Sequence, residues 1–468
     1  MVNRMRYFSI QHVAAMFVLG LTAGCSSIPT MVPDMALHSS RPVQFDGARG
    51  ALSPQQSKAI LAKLKKNGDD TNIFDKHLAL EAEIVGSPLV IGNKVDLLID
   101  GPTTYNAMFA AIEAAKDHIN METFIIEDDE IGQHFIELLT SKQKSGVQVN
   151  LIYDSVGSMK TPKSFFMPLI ESGGHVLEFN PINPLNMRKS WQVNQRDHRK
   201  LLITDGEFAF VGGINISSVY SSGSLGSGMF TKSKPGEGKI QWRDTHLSMA
   251  GPVVKEFQTL FLGTWTQQKG EPIALKNYSP EIGIQGKEIV RAIGSTPEEP
   301  FSQIYATLLS AINSAESQVF ITNAYFVPDP QLLAALKQAS QRGVDVKLLL
   351  PGKSDSDLVF YASRSFYDEL LSAGVKIYER QDDLLHAKTA VIDGVWSTVG
   401  STNLDWRSFV NNQEINAVIL GQDFGNKMQV LFDQDLESSK IITLKAWRKR
   451  AISSRIKERA ARLWARLL

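Results

Sequence analysis

The chain has 468 residues, of which 43% are hydrophobic and 21% are charged, and its 49 basic residues balance its 49 acidic residues. A chain of this length exceeds one ordinary domain, and its composition is that of a globular protein. A disordered or fibrous chain is therefore excluded. The zero net charge gives no reason to expect nucleic acid as a partner, because nucleic-acid binding depends on an excess of positive charge.

The first residues are typical of an export signal. Arg4 and Arg6 precede an apolar run from Val13 to Leu21, which is too short to span a bilayer as a helix. Small residues then lead to Cys25, the only cysteine, so no disulfide can form within the chain. This position resembles the lipidation site of bacterial lipoproteins. We therefore predict a signal peptide over residues 1–25 and a lipid on Cys25. The alternative is an ordinary cleaved signal with an incidental cysteine.

The lipoprotein interpretation predicts a location in the cell envelope, on the periplasmic side of a membrane. Ser26 after the cysteine favours the outer membrane. Residues 26–88 are mixed in character and are predicted to form a tether and a docking segment.

Beyond residue 88 the sequence repeats itself. Each copy alternates amphipathic helices with apolar strands joined at glycines, which is typical of an α/β fold with helices on both faces of a sheet. The copies align as AIEAAKDHINMETFII at 111–126 with AINSAESQVFITNAYF at 311–326, and as SGVQVNLIYD at 145–154 with RGVDVKLLLP at 342–351. We predict two homologous α/β domains, residues 89–275 and 276–439, each a mixed sheet flanked by helices.

Each copy also contains the spacing H-x-K-x4-D-x6-G-x2-N. Residues two apart on a strand point to the same face, so each histidine and its lysine can enter one cleft together. Lysine ammonium and asparagine amide groups can neutralise and orient phosphate oxygens, while an imidazole supplies a nucleophile or a proton. The aspartate belongs to the same motif, but it lies in an Asp-Gly turn and is expected to fix the hairpin. The residues are His198, Lys200, Asp205, Gly212 and Asn215 in the first copy, and His386, Lys388, Asp393, Gly400 and Asn403 in the second.

Each imidazole also needs a carboxylate that holds its tautomer and stabilises its cation. In the second copy, the strand after the hairpin carries Glu414, which we assign to His386. In the first copy, the equivalent strand carries Asp244, which we assign to His198. The alternative for both carboxylates is an ion pair with a neighbouring Arg or Lys.

The duplicated motif resembles that of the phospholipase D superfamily, from about Leu89 to Asp435. The resemblance implies two phospholipase D-like domains packed with a shared active site at their interface. It implies His198 as the nucleophile, a phosphohistidine intermediate and His386 as the general acid and base. Catalytic action is thereby expected of His198, Lys200, Asp205, His386, Lys388 and Asp393, and phosphate binding of Lys200, Asn215, Lys388 and Asn403. No cofactor or metal is expected, and His175 and His246 are predicted to be structural.

Three features favour a lipid substrate over nucleic acid. The export signal places the protein at a membrane, and residues 440–468 predict a basic amphipathic helix on anionic lipid. The alternative for this tail is a terminal helix that is solvated or packs on the domains. A Gly/Ser-rich insertion from Val219 to Lys239 is predicted to be either a mobile lid or a loop without a catalytic role. The overall resemblance to bacterial cardiolipin synthases implies that phosphatidylglycerol is converted to cardiolipin. The alternatives are hydrolysis to phosphatidic acid, a periplasmic nuclease or phosphodiesterase, and a non-catalytic lipoprotein.

Overall fold

The structure is a computed structural model, and it describes residues 31–32, 42–67, 71–182, 194–221 and 242–468. The chain divides into two compact units, Met1–Pro33 and Asp34–Leu468, and both sequence repeats lie in the second. Cys25 and the predicted signal peptide lie outside the described residues. Within the described ranges, no helix combines the length and the apolar character that a membrane span requires.

The segment before the first repeat packs onto the rest of its unit. Its first strand runs parallel to the start of the first strand of the first repeat, with Phe45 opposite Leu89. The side chain of His77 reaches the second repeat, where its Nδ1 lies 2.9 Å from Ser310 Oγ. The elements are β1 (Phe45–Gly47), β2 (Gly50–Ala51), α1 (Pro54–Asn67) and a π-helical turn (Ile73–His77) that continues as α2 (Leu78–Ile84).

The first repeat forms a mixed sheet with helices packed against it. Its strand order is β6-β5-β4-β8-β9-β11-β3, in which β4, β5 and β6 are parallel and the other neighbours are antiparallel. The elements are β3 (Leu89–Leu98), α3 (Gly101–Ala114), β4 (His118–Thr123), α4 (Glu130–Lys144), β5 (Gln148–Asp154), α5 (Met167–Glu171), β6 (His175–Phe179), β7 (Arg196–Asp197), β8 (Lys200–Thr204), β9 (Phe208–Gly212), β10 (Trp242–Arg243), β11 (His246–Ala250) and α6 (Val254–Gln267), with 3-10 helices at Lys163–Phe166 and Ser218–Tyr220.

The second repeat has the same strand order, β15-β14-β13-β17-β18-β19-β12. The predicted pair of mixed α/β units is therefore confirmed. The elements are β12 (Glu288–Ser295), α7 (Gln303–Ser314), β13 (Gln318–Asn323), α8 (Pro330–Gln341), β14 (Asp345–Pro351), α9 (Asp357–Arg364), α10 (Tyr367–Ser372), β15 (Lys376–Arg380), β16 (Leu384–Leu385), β17 (Lys388–Ile392), β18 (Trp396–Gly400), α11 (Trp406–Val410), β19 (Asn412–Leu420) and α12 (Gln422–Glu437).

The two repeats meet at an antiparallel pair, β3 with β12, in which Asn93 lies opposite Glu288. One sheet therefore continues from the first repeat into the second, with the same order of strands on each side of this pair. A single hydrophobic cluster also spans both repeats, and Val211, Phe257, Val290 and Ile415 are among its buried members. The H-x-K motifs of the two repeats are thus held by one continuous core.

Residues 440–468 do not form the single helix that the sequence predicted. They begin with β20 (Ser439–Ile442), which pairs antiparallel with the edge strand β15, and continue as α13 (Leu444–Arg448), α14 (Ile452–Arg462) and a 3-10 turn (Ala465–Leu467). The β-branched run at Ile441–Thr443 favours a strand, and the free edge of β15 supplies its hydrogen-bond partners. Glu458 is buried, and its carboxylate lies 3.9 Å from Nε of Arg364 in the second repeat, so this part of the tail packs onto the protein.

Candidate active site

The two histidines lie at equivalent positions, directly before the strands β8 and β17. His198 precedes Lys200, the first residue of β8, and His386 precedes Lys388, the first residue of β17. Both imidazoles are largely buried but keep a small exposed fraction. Each motif thus stands at the starting end of the equivalent strand in its own repeat.

Each histidine is bound to a carboxylate of the other repeat. Nδ1 of His198 lies 3.0 and 3.1 Å from the two carboxylate oxygens of Glu414. Nδ1 of His386 lies 2.7 Å from Oδ2 of Asp244. The sequence correctly predicted that Glu414 and Asp244 orient histidines, but it assigned each of them to the histidine of its own repeat. That assignment is wrong, because the pairs are crossed.

The crossing follows from two short parallel strand pairs between the repeats. β7 pairs with the start of β19, so the backbone N–H of His198 donates to the carbonyl of Gln413 at 2.9 Å. β10 pairs with β16, so the backbone N–H of His386 donates to the carbonyl of Arg243 at 2.7 Å. Gln413 and Arg243 directly precede the two carboxylates, which places each carboxylate beside the histidine of the other repeat. Both motifs and both carboxylates are thereby brought together at the interface between the repeats.

The loops after β9 and β18 hold the carboxylates differently. Ser401 donates from Oγ to Oε2 of Glu414 at 2.5 Å. In the first repeat the equivalent residue is Gly213, where a Cβ atom would lie 2.2 Å from Oδ1 of Asp244. The shorter aspartate therefore requires a closer approach of the loop backbone, which only glycine permits.

The two lysines lie beneath the histidines in the buried part of the site. Nζ of Lys200 donates to the carbonyl of His198 at 2.6 Å, and Nζ of Lys388 donates to the carbonyl of His386. Burial lowers the pKa of Lys200 to about 7, against the opposing effect of Glu414. Burial also lowers the pKa of Lys388 to about 8. Both ammonium groups are thus held in a place that destabilises their charge.

The same lysines depress the basicity of the histidines. Burial, with the charges of Lys200 and Lys388, lowers the pKa of His198 well below its usual value. Burial and Lys388 lower the pKa of His386 to about 4. The charge of His386 also lowers the pKa of His198, so the two imidazoles and the two ammonium groups are close enough to interact. An anion bound among these four groups would oppose these effects and raise all four pKa values.

The pKa values of the two buried carboxylates shift in opposite directions. Burial raises the pKa of Glu414 to about 7, against the charge of Lys200. Burial would also raise the pKa of Asp244, but the charges of Lys388 and His386 outweigh it and lower that pKa. Because Nδ1 of each imidazole is bound to a carboxylate, Nε2 is the ring nitrogen that is available to react with a substrate. In the described part of the chain, Nε2 of neither His198 nor His386 has a hydrogen-bond partner.

The two motif asparagines have different hydrogen-bond partners. Asn215 accepts from the N–H of Ile125 at 3.2 Å, and its amide nitrogen lies 3.2 Å from the hydroxyl of Tyr220. Asn403 is buried, and its Oδ1 has no hydrogen-bond partner among the described residues. Their binding of phosphate stays a prediction.

Asp205 and Asp393 lie in the hairpin turns, at the end of the strands away from the histidines. Their backbones adopt φ values of 55° and 49°, in the left-handed region. The carboxylate of Asp205 accepts three backbone N–H groups, from Lys116, Asp117 and His118, at 2.8, 2.8 and 3.0 Å. Asp393 accepts the corresponding groups at the start of β13. These contacts fix the turns, as the sequence predicted.

Aromatic residues that the sequence did not single out border the histidines. The ring of Phe124 lies 5.0 Å from that of His198, and the ring of Trp242 lies 5.1 Å from that of His386. The Tyr220 hydroxyl is 3.2 Å from Nδ1 of His386. Tyr220 falls in the insertion predicted as a lid or loop, yet it is buried in a 3-10 helix; residues 222–241 lie outside the described residues. No spacing in the sequence indicates these contacts.

The other candidate groups lie apart from the two motifs. Nδ1 of His175 is 3.2 Å from Oδ1 of Asn150. His246 is buried in β11, and burial lowers its pKa to about 3. Within the described ranges, no cluster of three or more His, Cys, Asp and Glu side chains is arranged to hold a metal ion.

Two His-Lys motifs from two like halves, held by crossed carboxylates at one interface, define a phospholipase D-type enzyme. The family described as "Cardiolipin synthase, PLD-like domain" matches residues 108–242 and 308–436, one match in each repeat. The chain belongs to this cardiolipin synthase family, a family of phospholipase D-type phosphatidyltransferases.

Individual relatives agree with that assignment. The chain is 35% identical to a cardiolipin synthase of Geobacillus sp. (strain WCH70) over 84% of this chain and 76% of the relative. It is 37% identical to cardiolipin synthase 2 of Bacillus anthracis, over 79% of this chain and 70% of that protein. Among solved structures, phosphatidylserine synthase of Haemophilus influenzae Rd KW20 is similar in fold, with a TM-score of 0.59 and 12% identity over 80% of this chain and 95% of the synthase.

Proposed function

We propose that the protein transfers a phosphatidyl group from one phosphatidylglycerol to a hydroxyl of a second, which releases glycerol and forms cardiolipin. The observation that carries the chemistry is the pair of imidazoles, each with Nδ1 bound to a carboxylate and Nε2 left without a partner among the described residues. The choice of substrate rests on the cardiolipin synthase relatives.

In the first step, Nε2 of His198 attacks the phosphorus, and the bond from phosphorus to the glycerol headgroup oxygen breaks. His386 gives its proton to that oxygen, so glycerol leaves as a neutral alcohol. The Nδ1 carboxylates, Glu414 for His198 and Asp244 for His386, stabilise the imidazolium forms. Lys200 and Lys388 neutralise the charge that develops on the phosphoryl oxygens.

In the second step, His386 takes a proton from a hydroxyl of the second phosphatidylglycerol. The oxygen of that hydroxyl attacks the phosphorus, and the bond from phosphorus to Nε2 of His198 breaks. Free His198 and protonated His386 are thereby restored. Binding of the anionic phosphodiester raises the pKa of His386, whose value of about 4 in the free site would otherwise leave it without a proton at neutral pH.

The proposal includes a place in the cell envelope, with Cys25 carrying a lipid and the active site facing a membrane surface on the periplasmic side. Its support is the sequence alone: the export signal and the sole cysteine after the small-residue run. Growth with a labelled fatty acid followed by mass spectrometry of the N-terminal peptide tests it. An N-terminal peptide that begins elsewhere, or a Cys25 without lipid, would remove the anchor from the proposal.

The reaction is tested with purified protein and phosphatidylglycerol labelled in the headgroup glycerol and in the acyl chains. Transfer yields doubly labelled cardiolipin and free labelled glycerol. Phosphatidic acid as the sole lipid product would make the protein a hydrolase. Cleavage of DNA without added metal, at a rate that exceeds lipid turnover, would make it a nuclease.

A further inference from the structure

Large apolar side chains are exposed at the end of the sheet where the two histidines lie. β5 and β14 point towards that end, and the loop and helix that follow them expose Met159 and Leu358. α11 joins β18 to β19 at the same end and exposes Val410. The chain returns there after α14 and exposes Leu463, Trp464 and Leu467. We call these six residues the rim surface.

Contacts tie the rim surface to the catalytic groups. Met159 follows Ser158, whose Oγ donates to the carbonyl of Phe124, and the Phe124 ring packs against His198. Leu358 follows Asp355 by one turn, and Asp355 accepts from Tyr325 at 2.7 Å and acts electrostatically on Lys388. The rim therefore borders the site from both repeats.

The end of the tail completes the rim on the side of the second repeat. α14 packs against α9, and the 3-10 turn Ala465–Leu467 packs against α11. The backbone N–H of Arg407 donates to the carbonyl of Leu468 at 2.7 Å, and Arg407 contributes to the lowered pKa of His198. The final residues are thus fixed next to a residue whose charge acts on His198.

The exposure of these side chains is high. Met159 is 68% exposed, Leu463 85% and Leu467 70%. Single exposed apolar residues are ordinary, but a group of them around a catalytic opening marks an interaction surface.

The charges around the rim surface indicate the partner. Lys160, Lys353, Arg459 and Arg466 are exposed, and none of them has an ion pair among the described residues. Asp357, in the first turn of α9, is an exposed acid among them, and Asp355 is bound to Tyr325. Apolar side chains next to basic residues that form no ion pair in the described part of the chain fit the boundary between anionic headgroups and acyl chains.

We propose that the rim surface is the face by which the protein docks on an anionic phospholipid bilayer, with the active site opening onto the headgroups. The apolar side chains enter the bilayer interface, and Lys160, Lys353, Arg459 and Arg466 contact lipid phosphates. A lipid headgroup then reaches the histidines without leaving the interface. This proposal rests on the proposed function for its choice of partner, but it concerns binding and not the chemical steps.

Vesicle flotation tests the docking face. The full chain carries Cys25→Ser in every variant, so that no acyl group on the cysteine contributes, and binding is compared on phosphatidylglycerol and phosphatidylcholine vesicles. Leu463→Ser with Leu467→Ser is expected to weaken binding to phosphatidylglycerol vesicles about tenfold or more. The matched control is Phe208→Ser with Ile284→Ser, which changes residues 42% and 73% exposed at the opposite end of the sheet, and it is expected to bind as the parent does.

The basic residues and the first repeat provide independent variants. Arg459→Gln and Arg466→Gln are each expected to weaken binding about fivefold at low salt, and less at high salt. Met159→Ser changes the opposite side of the rim and keeps the test decisive if the tail variant fails to fold. Equal binding by rim and control variants, or equal binding to both kinds of vesicle, would overturn the proposal. Loss of a dimer in the tail variant with vesicle binding unchanged would assign the surface to a second copy of the chain.

Turnover in detergent micelles separates the two proposals. Tail variants that keep micellar turnover but lose turnover on vesicles support the docking face. Parent protein that binds phosphatidylglycerol vesicles through the rim but turns over no lipid in either form would end the proposed function and leave the docking face standing. Turnover in micelles with no dependence of vesicle binding on the rim would do the reverse.

Discussion

The crossed carboxylates predict which substitutions have the same effect on catalysis: those of Glu414 and His198, and those of Asp244 and His386. Glu414→Gln and Asp244→Asn remove the charge beside Nδ1 of His198 and His386, respectively, and keep the shape of the side chain. A unit charge 3.0 Å from an imidazolium contributes about 5 kcal/mol at an effective dielectric constant of about 20. Since about 1.4 kcal/mol changes a rate tenfold, each variant is expected to lose roughly three to four orders of magnitude in kcat on phosphatidylglycerol.

A substrate with a nitrophenol leaving group distinguishes the two carboxylates. Nitrophenolate leaves without a proton, so formation of the phosphohistidine then needs the nucleophile but no general acid. The pre-steady-state burst of nitrophenolate measures that step alone. We expect the burst to be slow or absent in Glu414→Gln and in His198→Ala, and near the parent rate in Asp244→Asn and in His386→Ala.

The pairing of phenotypes tests the geometry separately from the identity of the nucleophile. If His386 were the nucleophile, the two pairs would exchange phenotypes but remain His198 with Glu414 and His386 with Asp244. A burst in which His198→Ala behaves like Asp244→Asn, and His386→Ala like Glu414→Gln, would refute the crossed arrangement.

Three further predictions concern charge and stability. The value of kcat/KM should fall as the pH rises through about 7 to 8, because Lys200 and Lys388 then lose their protons; Lys200→Arg should move this fall to higher pH, and an unmoved profile would count against the lysine. Asp205→Ala removes the acceptor of three backbone N–H groups and should lower the free energy of unfolding by about 2 kcal/mol in urea titrations; an unchanged midpoint would show that the turn holds without the carboxylate. His77 is buried, and its pKa is lowered to about 3. The unfolded chain therefore binds one more proton than the folded chain between about pH 6.5 and 3, and stability is lost as the pH falls through that range. His77→Gln should make the urea midpoint less sensitive to acid, and equal sensitivity would contradict this.

Much of the fold was predictable because the sequence contains two copies of the same α/β unit. The repeats gave the α/β units, and the spacing of both motifs gave the histidines, lysines and turn aspartates. The identity of the two carboxylates was also predictable, since they occupy equivalent positions after the two hairpins, Glu414 in β19 and Asp244 between β10 and β11. These inferences depend on local periodicity and on comparison of one repeat with the other, both of which a single sequence contains.

The partners of the carboxylates were not predictable, because they depend on pairing between distant strands. β7 and β10 have two residues each, too few to show a pattern, yet they bring Glu414 to His198 and Asp244 to His386. The prediction of one helix over residues 440–468 was wrong for a related reason. β20 pairs with the free edge of β15, and that edge exists only in the folded sheet. Tyr220 lay in a segment whose glycines and serines indicated a loop, and burial against His386 is a tertiary effect.

The most direct test of one shared site is the number of phosphatidyl groups that a chain can carry. A quench in a denaturing detergent at neutral pH during turnover, followed by mass spectrometry of the intact protein, counts them, because the bond from phosphorus to histidine is lost in acid. The shared site predicts at most one group per chain, on one histidine of the pair, with none in the variant that lacks that histidine. Two groups on one chain, one in each repeat, would contradict it.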